Sequence, residues 1–151
     1  MNTMMLQRRT LIGALAMTGA LAIVAGCTTM SDPLMMYTQT VTLSGSNEVP
    51  PVTTSATGTA TVTIKPDHSV VVKETVTGMT ATASHIHEAA AGTNGPVIVP
   101  FTKTGDNTFA AADTAKLTDS QYESFKAGKL YVNVHSAANP GGEIRAQQKG
   151  M

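Results

Sequence analysis

Tryptophan is absent from this 151-residue chain, aromatic residues make up 4% of it, charged residues 13%, and there is one cysteine, Cys27. A lone cysteine cannot close an internal disulfide. Ten basic residues against ten acidic ones leave no basic excess, which excludes the electrostatic footprint of a nucleic-acid binder. Glycine-rich phosphate loops are missing. Ser84 precedes His85 in a strand-like pattern, where neighbours face opposite ways, so the two do not form a nucleophile and base pair. The longest apolar run, Leu11 to Val24, spans about fourteen residues, short of the roughly 20 that a membrane-crossing helix needs.

What is present begins with that run. Arg8-Arg9 precede it and small residues follow it up to Cys27, the layout of a secretory signal. Val24-Ala25-Gly26-Cys27 resembles the lipobox of bacterial lipoproteins, in which a diacylglycerol joins the cysteine thiol before cleavage. The expectation is a signal over residues 1–26, a lipidated Cys27 at the mature N-terminus, and a tether over 27–38 that carries Met30, Pro33, Met35 and Met36. Lipidation would also cap a thiol that an oxidising compartment leaves reactive. Gln7-Arg8-Arg9-Thr10-Leu11-Ile12 loosely resembles a twin-arginine export signal. Thr28 stands where an aspartate commonly marks inner-membrane retention in Gram-negative lipoproteins, and that similarity points the anchor to the outer membrane, facing the periplasm or the exterior. After cleavage 125 residues remain, enough for one small domain, with two more acidic than basic side chains.

Threonine, valine, alanine and glycine dominate the rest, a composition that suits strands. Alternation starts at Gln39 to Ser44 and is plainest at Thr59 to Lys65, where Ala60, Val62 and Ile64 share one face. Pro66-Asp67-His68-Ser69 is turn chemistry before Val70 to Val76, which predicts a hairpin with His68 exposed in the turn. Thr80 to Glu88, Val97 to Phe101, Thr108 to Ala112, Leu130 to Ser136 and Glu143 to Gln148 read as further strands. Between them Thr118-x-x-Gln121, Tyr122, Phe125 and Gly128 predict one short helix with a capping box, covering a sheet edge. The fold class is all-β, a Greek-key-like sandwich or barrel of seven or eight short strands.

Four segments, Leu43 to Pro51, His85-Ile86-His87-Glu88, Tyr131 to Ser136 and Asn139 to Arg145, occur in an order that resembles the CHRD domain, named for chordin, over residues 39–148. The resemblance implies an extracytoplasmic β domain and no activity. A fainter similarity is to copper-zinc superoxide dismutases, whose β-sandwich also presents a His-x-His strand, a later histidine and an arginine near the metal. Here these would be His85, His87, His135 and Arg145, without further histidines for a bridging ligand and a zinc site.

Histidines at i and i+2 on a strand project to one side roughly 7 Å apart at the backbone. Should the strand of His135 lie beside that of His85 and His87, three imidazoles can hold copper or zinc, with Glu88 or Glu143 as fourth ligand or as the group that orients a ring. The plainer role for these rings is to donate hydrogen bonds to the loops at Gly92 to Pro96 and Asn139 to Gly142. Arg145 either steers an anion to the site or pairs with Glu143 or another carboxylate. The reading is a membrane-anchored, non-catalytic binding module for a metal ion or a protein partner. The alternatives are a copper redox enzyme of dismutase type and a structural or adhesive lipoprotein without metal.

Overall fold

The computed structural model describes residues 36–151; the expected signal segment, Cys27 and the expected tether up to residue 35 lie outside them. Eight antiparallel strands close into a barrel: β1 (Tyr37–Ser44), β2 (Thr57–Ile64), β3 (Val70–Thr77), β4 (Ala81–Glu88), β5 (Val97–Gly105), β6 (Thr108–Ala111), β7 (Leu130–Ser136) and β8 (Ile144–Gln147), with one helix, α1 (Asp119–Lys126), between β6 and β7. Around the barrel the order is β1-β2-β3-β6-β5-β4-β7-β8. The connections from β3 to β4 and from β6 to β7 each pass over intervening strands, the Greek-key pattern expected from the sequence. β1 begins at Tyr37, so the strand takes in two residues that the sequence assigned to the tether.

Strict alternation makes the strands. In β2, Gly58, Ala60, Val62 and Ile64 point inward, and in β3 Val70, Val72 and Val76 do the same. Eight strands leave an interior just wide enough for side chains to fill, and valines, isoleucines and Leu43, Phe109 and Leu130 fill it. Burying each such side chain stabilises the fold by about 1.5–3 kcal/mol. One inward position of β3 breaks the pattern. Glu74 is 3% exposed, and neither carboxyl oxygen has a partner, because the nearby Ser84 hydroxyl donates to Asn133 O instead. Burial pushes its pKa up to about 7.

Thr118 caps α1, its hydroxyl accepting from Gln121 N–H while the Gln121 side chain accepts from Thr118 N–H, as its spacing predicted. The helix does not cover a sheet edge, since closure leaves little edge to cover. Its buried Phe125 packs edge-on against Tyr37, ring centroids 5.0 Å apart, at the barrel end where β1 and β7 start and β4 finishes. His68, expected to be exposed in its turn, is half-buried: it adopts φ 67° and stacks on Tyr122 of this helix at 4.1 Å.

Candidate metal centre

β4 and β7 are hydrogen-bonded neighbours, pairing Ala83 with His135, His85 with Asn133 and His87 with Tyr131. Ser84 and Ile86 fill the barrel, which turns His85 and His87 outward, and Val132 and Val134 do the same for Tyr131, Asn133 and His135. This outer face is not a wet surface. Tyr131 is 2% exposed and Asn133 3%, because loops from both sides fold over it. Asn94 Nδ2 donates to Val49 O at 2.7 Å, tying the loop after β4 to the loop after β1, and Asn47 Nδ2 donates to Arg145 O at 3.2 Å.

The three histidines converge. One ring nitrogen from each of His85, His87 and His135 lies within 4.8 Å of the others. His85 Nδ1 and His135 Nε2 are 3.1 Å apart, close to the ~3.3 Å separating two nitrogens bound tetrahedrally to one ion at about 2.0–2.1 Å. The loops fix the ring tautomers. His87 Nδ1 donates to Gly95 O at 2.9 Å, and His135 Nδ1 donates to Pro140 O at 2.9 Å. In the neutral form of either ring the lone pair is then on Nε2. His87 Nε2 is buried without a partner. Burial, and then the neighbouring His135 and His87, hold the pKa of His85 down to about 4, and burial lowers that of His87. At neutral pH these two rings present lone pairs rather than charge.

Both loop contacts that the sequence suggested as the plain role of the rings are thus present, and they are the contacts that aim a ligating imidazole. The expected carboxylate helpers are not. Among the described residues the cluster contains the three histidines alone. Glu88 follows His87 in the strand and falls on the other face. Glu143 is held by the hydroxyls of Thr54, at 2.7 Å, and of Ser136, and hydrogen bonding, Ser136 first, lowers its pKa.

Arg145 pairs with neither Glu143 nor any other carboxylate in a salt bridge among the described residues. It is 1% exposed, donates to Asn94 Oδ1 at 3.0 Å and Thr93 O at 2.9 Å, and lays its Cζ 3.4 Å over the ring centroid of Tyr131. A further N–H donates to Gln147 Oε1 at 3.3 Å, and through the two bonds to Asn94 and Thr93 the buried guanidinium fastens that loop down. Tyr131 and Asn133 were visible in the sequence as sharing the parity of His135, yet nothing in the pattern distinguished them from solvent-facing positions. Glu48, 5% exposed beneath the loops, lies within a recognised motif but on no strand, and periodicity could not find it.

Among curated proteins and among solved structures no significant match to the chain is found. The model of the CHRD domain matches residues 39–148, all of the barrel except the first two residues of β1. This chain belongs to the CHRD domain family.

Proposed function

We propose that this chain is an extracytoplasmic binding module, anchored by lipid on Cys27, that holds one copper or zinc ion through His85, His87 and His135. The observation that carries the metal reading is His87 Nε2, buried without a partner and grouped with two other imidazole nitrogens. A buried lone pair with no donor costs about 1–3 kcal/mol, and a cation at the centre of the three rings removes that penalty. Imidazole suits zinc and copper alike, and three protein ligands leave a position open for water or a partner's donor group. Membership of the CHRD family supports a binding role.

The test is titration of the full chain, purified in detergent, with Zn2+ and Cu2+, beside a variant with all three histidines changed to alanine. One ion per chain in the wild type and none in the variant is the expected result. A structural or adhesive lipoprotein without metal predicts no difference between them. The dismutase reading rests on the order His85, His87, His135 and Arg145, and predicts copper-dependent loss of superoxide. The buried Arg145 and the absence of a bridging histidine favour binding over turnover. The anchor and its outer-membrane placement rest on the lipobox and Thr28. Cys27→Ala is expected to abolish incorporation of labelled fatty acid, and retained labelling would contradict the anchor.

A further inference from the structure

Resting on that metal reading, we infer that Asn133 supplies the fourth donor to the ion, its side-chain Oδ1, and that Glu48 aims it. Asn133 sits in the middle of the site, cross-strand from His85 on one side and from Arg145 on the other. Its Oδ1 is 3.0 Å from His135 Nε2, the atom that also lies 3.1 Å from His85 Nδ1. His135 has given its Nδ1–H to Pro140 O, so in the neutral ring Nε2 is an acceptor, and an amide oxygen is an acceptor too. Two lone-pair atoms at hydrogen-bond distance call for a positive charge between or beside them. The same ion that the three imidazoles converge on meets that need.

The amide is not free to turn its nitrogen to the histidine. Glu48 lies on the far side, and a Cβ placed on Gly142 would touch Asn133 Nδ2 at 2.6 Å and Glu48 Oε1 at 2.7 Å, so that glycine, at φ 131°, makes room for the pair. Glu48 Oε1 is buried without a hydrogen-bond partner, and burial raises the pKa of its carboxyl; an orphaned acceptor there calls for a donor, which places the amide nitrogen on the Glu48 side and leaves the oxygen for the histidines. The sequence pointed to Glu88 or Glu143 as the oxygen donor; the geometry points to a neutral amide instead. An oxygen donor favours a harder ion such as Zn2+ over Cu+, which imidazoles alone satisfy.

The experiment measures Zn2+ and Cu+ affinity by competition on the full chain for wild type, Asn133→Leu, Asn133→Asp and Glu48→Gln, with circular dichroism on each metal-free protein. Asn133→Leu is expected to lower Zn2+ affinity by about 10–100-fold and leave Cu+ affinity unchanged. Asn133→Asp, which keeps an oxygen, is expected to match or exceed the wild type for Zn2+. Should Asn133→Leu not fold, Asn133→Ser, whose oxygen falls short of the ion, takes its place with the same expectation. Glu48→Gln is expected to fall between wild type and Asn133→Leu; wild-type affinity there would overturn the aiming role of Glu48. Wild-type Zn2+ affinity in Asn133→Leu would overturn the fourth-donor assignment while leaving the three-histidine site standing. A wild-type chain that binds no metal would overturn both.

Discussion

Tyr131 lies flat against His87, ring centroids 4.8 Å apart and planes 11° from parallel, while the guanidinium of Arg145 covers the other face of the tyrosine at 3.4 Å. The central aromatic joins a candidate ligand to the residue that fastens the loop after β4. Tyr131 Oη also accepts from Gly95 N–H at 3.2 Å, and Gly95 O in turn holds His87 Nδ1. Tyr131→Phe is expected to lose about 1 kcal/mol of stability with the hydroxyl's bond. Tyr131→Ala, which empties the stack, is expected to lose about 3–5 kcal/mol. Urea unfolding of both variants checks the pair, and equal stabilities would show that the stack contributes nothing.

Glu74 makes stability depend on pH. Its folded pKa of about 7 lies above the ordinary carboxyl value, so between those two limits the folded chain binds more protons than the unfolded one and stability falls as pH rises. At about 1.4 kcal/mol per pKa unit, the loss from pH 4 to pH 8 is on the order of 3 kcal/mol. Glu74→Met keeps the volume and removes the charge. The variant is expected to gain on wild type across that interval, in urea unfolding at several pH values. A constant difference between the two proteins would show that Glu74 does not titrate in this window.

Gly142 is held at φ 131° with no room for a side chain. Gly142→Ala is expected to destabilise the domain by more than about 1 kcal/mol and to weaken metal binding together with it, because the added methyl strikes both Asn133 and Glu48. A chain that tolerates alanine there, with unchanged melting temperature and affinity, would contradict the crowding beneath that loop.

The helix cap provides a control away from the site. Thr118→Ala removes the hydroxyl that accepts from Gln121 N–H and is expected to lower stability by about 1 kcal/mol while leaving metal affinity untouched. A drop in affinity would mean that the barrel end closed by Phe125 is coupled to the histidine face.

The parts of this architecture that alternation controls were legible in the sequence. Ala60, Val62 and Ile64 fixed the parity of β2, Leu130, Val132 and Val134 that of β7, and the Thr118 to Gln121 spacing located the helix start. Parity also placed His85 and His87 on one face. What alternation cannot carry is which strands become neighbours, and here the barrel order brought β7 beside β4. Nor does it show what lies over an outward face. Arg145 read as a charge that steers an anion or pairs with a carboxylate, but it is buried and held by the carbonyl of Thr93 and the amide oxygen of Asn94 in the loop after β4. The loop after β4 gave His87 its backbone partner, the loop after β7 gave His135 its own, and Glu143 was left to two hydroxyls, Thr54 and Ser136, that no periodicity connects to it.

The most direct test of the central claim is the metal content of the full chain, measured by mass spectrometry after equilibration with equal Zn2+ and Cu2+ and removal of free ion. Close to one ion per chain is expected in the wild type, and next to none when His85, His87 and His135 are all alanine and the domain is still folded. A wild-type chain that emerges metal-free, or a triple variant that keeps the same content, would contradict it.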